Sequence, residues 1–336
     1  MKSILSAKRS IAQMYRQSAL RRGVSSLRKV KKTEPDFFSH PLPQTGLNLN
    51  IMSFNIRHGA AKDGKHHWIY RRDRVCELLS EYRPDVLGLQ EAMDFQISAI
   101  SAALPGHVKL GIGNLGGNKG LHTAIFYDAV RFIPSAEGTF WFSDTPEIPG
   151  STGWGNVIPR TCTWARLIEK ESGQAFYFFN VHLDHISQRS RKNSVVVLTR
   201  FIHARASRDP FVLAGDFNAR EKSKSIHYLK GKTPLRVKAQ GSVFNPEPLI
   251  DTFRVRYPHR RNVVTYHGFR RFFFRFRLDY IFVPPSVRVQ AAQIIQPRWK
   301  KHYPSDHFPL LTRIDLSDIS ASVKSGASLE KAAIAD

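Results

Sequence analysis

The residues in this sequence best suited to chemistry are Asp216 and Asn218, two positions apart in the stretch FVLAGDFNAR. Side chains two apart in a strand project from the same face, so this carboxylate and this amide point the same way. A buried strand that ends in a glycine, a carboxylate and an amide is unfavourable unless those groups hold a substrate or an ion. We therefore interpret the chain as an enzyme built around this strand end.

Polar residues also stand at the ends of other apolar segments, at positions where a protein core would normally have an apolar residue. Each alone has an ordinary explanation, because asparagine is a common turn former and a lone histidine is often a satisfied core residue. Six such interruptions at the same structural position favour one shared site instead. The residues concerned are Asn55, Glu91, His182, Asp184, Asp279, Asp306 and His307, besides Asp216 and Asn218.

Together these motifs resemble the endonuclease/exonuclease/phosphatase superfamily, which includes DNase I, apurinic-site endonucleases, deadenylases, sphingomyelinases and inositol-phosphate phosphatases. The matching motifs are SFNIR, LQEA, NVHLD, GDFN, LDYI and SDH, and the resemblance covers residues 47–315. It implies an α/β (α+β) four-layer sandwich, in which two mainly antiparallel β-sheets pack face to face with helices on the outside. It also implies divalent-metal-dependent hydrolysis of phosphodiesters or phosphomonoesters.

The resemblance assigns a metal site to three of these residues. Glu91 would be the principal Mg²⁺ ligand, and Asn55 and Asp306 would complete the site directly or through water. Such oxygen donors suit a hard ion that keeps several of its waters, and Mn²⁺ is the alternative ion. Many nuclease members carry an acidic residue where this chain has Arg57, which disfavours a second metal ion there.

The resemblance assigns catalysis to the remaining matched residues. Asp216 would orient or deprotonate the attacking water, and Asn218 would fix that water and the phosphate. His307 would contact the phosphate oxygens, while Asp279 would hold its tautomer and favour its charged form. His182 would stabilise the developing charge or assist the leaving group. The metal ion and the cationic groups would act on the charge that builds on the phosphoryl oxygens.

Four further residues are candidates for substrate binding. Arg160 follows a loop rich in glycine and proline; it would clamp a phosphate, or else be an ordinary surface arginine. Asp184 is either a substrate-side carboxylate or the partner of a neighbouring arginine. His267 in TYHGF is predicted to line the cleft, and Arg57 is placed there by its position two residues after Asn55.

The elements that must position these residues are short strands with a few helices between them. Strands outnumber helices and do not alternate regularly with them, which favours two packed sheets over a doubly wound sheet. The predicted helices are residues 66–83, 94–104, 189–207 and 222–229, and residues 109–118 are a predicted loop. The predicted strands, besides the one that leads into Asp216, are residues 49–56, 86–89, 121–127, 132–142, 161–169, 174–183, 263–267, 278–283, 287–295 and 310–314.

Composition divides the chain into a basic flexible extension (1–46), one domain (47–316) and a polar tail (317–336). Residues 1–33 contain ten lysines or arginines and no acidic residue. That composition is typical of a disordered tail, a nucleic-acid-binding arm or an organelle transit peptide. We expect an intracellular, cytoplasmic protein, with mitochondria as the alternative if residues 1–33 are a transit peptide.

The formal net charge of +24 indicates an anionic partner, with nucleic acid as the first expectation and an anionic lipid headgroup as the alternative. Residues 254–277 contain eight arginines and no acidic residue, and they include the run FFFRFR. Such a run suits stacking on bases with phosphate contact, or an anionic membrane surface. A third interpretation is a hairpin whose phenylalanines complete the core while its arginines are solvated.

The absence of a long apolar run predicts no transmembrane segment, and two cysteines cannot form a disulfide framework. We expect a monomer. The sequence thus favours a nuclease that acts on DNA or RNA by attack of an activated water on phosphorus. The alternative is a phosphodiesterase or phosphatase acting on a lipid or inositol-phosphate headgroup. A catalytically inactive nucleic-acid-binding protein is a third possibility, against which the intact carboxylates and histidines argue.

Overall fold

The structure is a computed structural model that describes Phe38 and residues 46–237, 241–270, 275–297 and 303–316. Most of the predicted extension and all of the predicted tail therefore lie outside the described residues. No helix among the described residues is long and apolar enough to cross a membrane.

The described residues form short strands separated by a small number of helices. The strands are β1 (Asn48–Asn55), β2 (Val86–Gln90), β3 (His107–Leu110), β4 (Ile125–Asp128), β5 (Phe132–Trp141), β6 (Thr161–Glu169), β7 (Ala175–His182), β8 (Phe211–Asp216), β9 (Leu235–Val237), β10 (Gly241–Val243), β11 (Ile250–Asp251), β12 (Asp279–Val283), β13 (Arg288–Ile294) and β14 (Leu310–Asp315). The α-helices are α1 (Trp68–Tyr82), α2 (Asp94–Ala103), α3 (Gln188–His203), α4 (Lys224–Leu229) and α5 (Thr252–Arg256).

Two six-stranded sheets make up the fold, with strand orders β13-β14-β1-β2-β4-β3 and β11-β12-β8-β7-β6-β5. In the first sheet the β1–β2 pair is parallel, and in the second the β7–β8 pair is parallel. The other neighbouring pairs of both sheets are antiparallel. The prediction of two mainly antiparallel sheets is confirmed. Strands β9 and β10 form a separate small hairpin.

Alternation along the strands divides the core into three apolar layers. Residues such as Ile51 of β1 and Phe178 of β7 meet between the two sheets. The opposite face of β7, including Phe179, packs with Leu198 of α3. The opposite face of β1 packs with residues of α1 and α2 such as Leu79 and Ile100. Because successive side chains of a strand point to opposite faces, each central strand serves two layers. This gives the predicted order of helices, sheet, sheet and helices.

The strand ends that carry the predicted site lie at the same end of the sandwich. Asn55 at the end of β1 is in register with Gln90 at the end of β2. In the second sheet, Asp216 at the end of β8 is in register both with His182 of β7 and with Asp279 of β12. The two parallel pairs therefore carry polar groups from both sheets to the same place.

Three predicted elements differ in the structure. Residues 263–267 are not a strand, since only Tyr266 forms isolated bridges, to Phe276 and His307. The hydroxyl of Thr265 instead accepts hydrogen bonds from the N–H groups of Leu278 and Asp279. Residues 121–124 precede β4, and β3 extends into the start of the predicted loop 109–118. Strands β9 to β11 and helix α5 were not predicted, because each is too short to show a period.

Candidate active site

Asn55 lies at the centre of the site and links the two sheets. Its Nδ2 donates to Oε1 of Glu91 at 3.2 Å and to Oδ2 of Asp216 at 3.0 Å. Its Oδ1 accepts from the backbone N–H of Arg57 at 3.0 Å. One amide thus holds a carboxylate of the first sheet against a carboxylate of the second, and its oxygen is already in use. Asn55 therefore links the two carboxylates, and its role in metal binding stays a prediction.

Strained backbone marks the same place. Glu91, Arg57 and Asn218 have φ values of 61°, 56° and 47°, in the left-handed region that non-glycine residues seldom adopt. Such strain persists only where the surrounding structure imposes it, and it clusters at functional sites. In Glu91 the turn directs the side chain so that Oε2 accepts the backbone N–H of His58 at 3.1 Å.

Glu91 and Asp306 face a shared cation, the guanidinium of Arg57. Nη1 of Arg57 lies 3.8 Å from Oε2 of Glu91, and its Nε lies 3.9 Å from Oδ2 of Asp306. The same Nε donates to Oδ2 of Asp63 at 3.0 Å, which fixes the guanidinium from the other side. Asp306 is joined to the end of β1 by Ser305, whose Oγ donates to the carbonyl oxygen of Asn55 at 2.7 Å.

The carboxylates of Glu91 and Asp306 fit a hard divalent cation. Burial opposes ionisation of Glu91, but the charges of Arg57 and His307 and the hydrogen bond from Asn55 lower its pKa. Burial raises the pKa of Asp306, a carboxylate that needs a positive neighbour to stay charged. Two converging carboxylates beside a cation are the hard oxygen donors that Mg²⁺ prefers. The chemistry of this donor set therefore agrees with the predicted metal site.

Asp216 is a further carboxylate of the cleft, and it is buried. Oδ1 accepts the backbone N–H of Asn218 at 2.8 Å, while Oδ2 faces Asn55. Burial, followed by the charge of Asp279, raises the pKa of Asp216. The neighbouring Gly215 has a φ of 145°, and a Cβ there would lie 2.1 Å from the carbonyl oxygen of Val181. Glycine is thus required for β8 to deliver Asp216 beside β7.

His307 and Asp279 form a hydrogen-bonded pair, with Nδ1 of the imidazole 2.8 Å from Oδ2 of the carboxylate. Nε2 of His307 points toward Oδ2 of Asp216 at 3.8 Å. Burial opposes protonation, but the charges of Asp279 and Asp216 raise the pKa of His307 to about 10. Asp216, Asp279 and His307 also offer atoms within 4.8 Å of one another, as metal ligands would. Since Nδ1 of His307 is bonded to Asp279, Nε2 is the ring atom that faces Asp216.

His182 completes the cleft from β7. Its Nε2 lies 3.7 Å from Oδ2 of Asp216 and 4.0 Å from Oε1 of Glu91. Burial, followed by the charge of Arg160, lowers the pKa of His182 well below its ordinary value. The cleft therefore holds one cationic histidine, His307, and one neutral histidine, His182.

Arg160 and Asp184 lie behind His182 and are both buried. Nη1 of Arg160 is 3.1 Å from Nε2 of His182, and its Nε is 3.4 Å from Oδ2 of Asp184. Oδ1 of Asp184 accepts the N–H groups of Ile186 and Ser187. This geometry agrees with the structural alternative for Asp184. Arg160 is not an ordinary surface arginine, since it is buried and places its positive charge beside His182.

His267 is packed behind the cleft and does not line its surface. It is 1% exposed and lies between the rings of Tyr303 and Phe308. Among the described residues, neither of its ring nitrogens has a hydrogen-bond partner. Burial lowers its pKa to about 3, so the ring is neutral. The aromatic neighbours favour this apolar packing, which the motif TYHGF did not reveal.

Arg71 supports the site and was not predicted. It is buried on α1 and donates to the carbonyl oxygens of Ile56, Arg57 and Pro304, the last at 3.1 Å. It thereby joins the loop after β1 to the loop that carries Asp306. A signal was present, since Arg71 falls on the buried stripe of α1 between Trp68 and Val75.

Comparison with known proteins agrees with this geometry. The model of the Endonuclease/Exonuclease/phosphatase family matches residues 52–307, which span the cleft residues from Asn55 to His307. An uncharacterised protein of Acanthamoeba polyphaga mimivirus is 31% identical over 188 residues, which are 52% of this chain and 67% of the viral protein.

Solved structures from two bacteria share the fold over most of this chain. An endonuclease/exonuclease/phosphatase from Bacteroides vulgatus is 28% identical with a TM-score of 0.71, covering 81% of this chain and 100% of its own. A mannosyl-6-phosphatase of Bacteroides thetaiotaomicron is 29% identical with a TM-score of 0.68, covering 79% of this chain and 99% of its own.

Proposed function

Because the chain belongs to the endonuclease/exonuclease/phosphatase family, we propose that it hydrolyses phosphate esters with the help of a divalent cation, and that nucleic acid is its substrate. The observation that carries this proposal is the meeting of Glu91, Asp216 and His307 around Asn55 in one cleft. These residues come from both sheets. Their convergence has no use in packing, since all three are ionisable, with Asp216 and His307 buried and Glu91 half-buried.

Asp216 is the general base of the proposed reaction. The oxygen of a water forms a bond to phosphorus while its proton passes to the carboxylate of Asp216. The bond between phosphorus and the leaving oxygen breaks, and its electron pair stays on that oxygen. A base whose pKa is raised toward neutrality suits this transfer. The N–H of Asn218 and the amide of Asn55 hold the carboxylate in place throughout.

The two histidines act on the phosphoryl group in different charge states. Cationic His307, held by Asp279, places positive charge where the phosphoryl oxygens become more negative. Neutral His182 offers an N–H to the phosphoryl group or to the leaving oxygen. Glu91 and Asp306 would hold Mg²⁺ or Mn²⁺, which when bound supplies charge that neutralises the phosphoryl oxygens.

The choice of nucleic acid as substrate rests on charge. A formal net charge of +24 favours a polyanion over a small neutral ester. A second candidate is a small phosphomonoester, which the likeness to the mannosyl-6-phosphatase favours. Arg160 under His182 supports that candidate too, because a phosphomonoester dianion carries one more negative charge than a diester.

A substrate panel tests the proposal on the full chain. Single- and double-stranded DNA and RNA, mannose 6-phosphate, and vesicles of phosphoinositide or sphingomyelin are each offered with Mg²⁺, with Mn²⁺ and with EDTA. We expect hydrolysis of nucleic acid that EDTA abolishes, and none with the Glu91→Gln variant. Hydrolysis of mannose 6-phosphate or lipid alone would reject nucleic acid and keep the reaction class. Hydrolysis that persists in EDTA would reject the metal-dependent reaction.

A further inference from the structure

Asn180 is a fully buried amide that connects the two sheets. Its Nδ2 donates to the carbonyl oxygens of Leu89 and Ala124, each at 2.8 Å. Its Oδ1 accepts from Nε2 of Gln90 at 2.7 Å. Both donors and the acceptor of the amide are therefore in use. Asn180 belongs to β7, whereas two of its partners belong to β2 in the opposite sheet.

These contacts lie where β2 stops pairing with β4. The ladder ends at the Gly88–Ile125 pair, and one further bond joins the N–H of Leu89 to the carbonyl of Ala124 at 2.8 Å. Beyond this point β2 stays paired with β1 as far as Gln90, and Glu91 follows with its left-handed backbone before Ala92 bridges to His122. The amide of Asn180 thus bonds to the carbonyl group of Ala124 and to that of Leu89, two residues before the chain reaches Glu91.

The backbone of β2 approaches this amide closely at Gly88. A Cβ on Gly88 would lie 2.8 Å from Oδ1 of Asn180, closer than atoms can approach without movement. The side chain of Gln90 fills the remaining space, with Nε2 also 3.3 Å from Oγ of Ser53. The two sheets therefore pack closely around the side chain of Asn180 at this point.

Asn180 also shares a strand face with His182, two positions along β7. The amide therefore connects the strand that carries His182 to the strand that leads into Glu91. Nε2 of His182 and Oε1 of Glu91, which these two strands carry into the cleft, lie 4.0 Å apart.

We propose that Asn180 is a positioning residue that fixes Glu91 for metal binding, acting through the carbonyl of Leu89 and the side chain of Gln90. This inference rests on the proposed function, because it takes Glu91 as the metal ligand. It predicts that losing the amide weakens the metal site while the remainder of the cleft stays assembled.

The test is direct Mn²⁺ binding to the full chain, measured by electron paramagnetic resonance of the free ion. Loss of a residue that orients a metal ligand typically weakens affinity by about 10- to 100-fold, and we expect that range for Asn180→Ala. In hydrolysis assays the Mg²⁺ concentration at half-maximal rate should rise by a similar factor, and kcat at saturating Mg²⁺ should stay close to the wild-type value. Where the alanine variant does not fold, Asn180→Ser keeps one donor and should show a smaller shift in the same direction.

Asn245 provides a matched control. It is also buried, and its Nδ2 donates to the carbonyl oxygens of Leu229 and Glu247, each at 2.8 Å. Asn245→Ala removes the same chemical group outside the cleft, so it should lower the melting temperature without changing Mn²⁺ affinity. Gly88→Ala, which displaces the amide without removing it, should weaken Mn²⁺ binding as Asn180→Ala does.

The outcomes separate this inference from the proposed function. If Glu91→Gln loses Mn²⁺ binding and a folded Asn180→Ala variant keeps the wild-type affinity, the positioning role is rejected and the metal site stands. If Glu91→Gln binds Mn²⁺ like the wild type, the metal site is misassigned and both proposals fail. Equal loss of affinity in the Asn180 and Asn245 variants would also reject the positioning role, since the effect would then follow general stability.

Discussion

At the scale of single residues, the environments of two carboxylates in the cleft favour different tasks. Positive neighbours lower the pKa of Glu91 against the effect of burial, so this group stays ionised. Burial and the nearby Asp279 raise the pKa of Asp216, so this group can take up a proton. Environments that push two carboxyl groups in opposite directions are a known basis for separate catalytic roles.

Replacing the base should separate catalysis from metal binding. In Asp216→Asn the amide keeps the shape but cannot accept the water's proton, so we expect kcat to fall by about 10²- to 10⁴-fold. Mn²⁺ affinity should remain close to that of the wild type. Steady-state hydrolysis and direct Mn²⁺ binding measure the two effects. Asp209→Asn, which changes a partly exposed carboxylate paired with Arg166, is the control. Wild-type activity in Asp216→Asn would exclude this residue as the base.

Gly215 should tolerate no side chain. Its φ of 145° and the 2.1 Å approach of a Cβ to Val181 combine strain with a backbone clash. We expect Gly215→Ala to lower the free energy of unfolding by about 3 kcal/mol or more. Gly173→Ala provides the comparison, since φ is 69° and nothing lies within 4 Å of its Cβ. That change should cost about 1–2 kcal/mol. Urea denaturation measures both, and equal losses would argue against the clash.

Residue types could be predicted from the sequence better than residue environments. The order of motifs identified Asn55, Glu91, Asp216 and His307 as candidates, and the structure brings them together. It could not show that His267 is enclosed by aromatic rings, because Tyr303 and Phe308 are distant in sequence. Nor could it single out Asn180, whose significance lies in carbonyl groups of another sheet.

At the scale of elements, one arginine of the basic segment 254–277 is part of the core. Arg277 is buried and donates to both carboxylate oxygens of Asp251, at 2.8 and 2.6 Å, and to Glu221 at 2.6 Å. Its guanidinium also packs over the rings of Phe253 and Tyr280. The third interpretation, a hairpin whose arginines are solvated, is therefore wrong for Arg277. Residues 271–274, which include the first three residues of the run FFFRFR, lie outside the described residues.

Breaking this network should destabilise the junction of β11, α5 and β12. Arg277→Ala leaves Asp251 buried without its partner, and we expect a loss of about 3–5 kcal/mol in the free energy of unfolding. Arg254 also pairs with Glu221 but is more exposed. Arg254→Ala should therefore cost about 1 kcal/mol or less. Chemical denaturation compares the two variants, and similar losses would mean that burial does not decide the strength of these pairs.

Glu221 should make stability depend on acidity. Burial opposes its ionisation, but hydrogen bonds and charges from Arg254 and Arg277 lower its pKa from 4.5 to about 2. A carboxyl group with a lowered pKa in the folded state stabilises the protein above the ordinary pKa. That contribution is lost as the pH falls from about 4.5 toward 2. The stability difference between wild type and Glu221→Gln should shrink across this interval, as measured by urea denaturation. A constant difference would contradict the ion pairs.

Long elements could be predicted from periodicity, whereas short ones could not. The strands with clear alternation appear close to their predicted bounds, as in β6 and β14. Residues 263–267 have the composition of a strand but form only isolated bridges. There the hydroxyl of Thr265 bonds to the start of β12, a tertiary contact that no local pattern contains.

At the scale of the whole molecule, the excess of positive charge should make substrate binding sensitive to salt. A polyanionic substrate releases counterions when lysines and arginines neutralise its phosphates, and affinity then falls by about 10³- to 10⁵-fold between 50 and 200 mM salt when 6–10 phosphates are contacted. We therefore expect the KM for oligonucleotides to rise steeply with salt and the KM for mannose 6-phosphate to change little. Equal salt dependence for both substrates would contradict an extended nucleic-acid contact.

The arrangement of the whole chain was predictable only through the family resemblance. Strand counting favoured two packed sheets, but local patterns do not show which strands become neighbours. The parallel pairs β1–β2 and β7–β8 decide which strand ends meet, and they join segments separated by a helix in each case. Placing Glu91 opposite His182 requires this topology as well as the residues themselves.

The pairing of the first and last strands has a consequence for synthesis of the protein. Strand β1 lies between β2 and β14 in the sheet, with Asn48 opposite Asp315. A nascent chain still on the ribosome has β1 and β2 but no β14, so one side of β1 keeps its peptide groups open to other chains. The loop with Asp306 and Pro304, to which Arg71 bonds, also emerges late in translation. Premature termination before this loop would therefore yield an inactive product that is prone to aggregate.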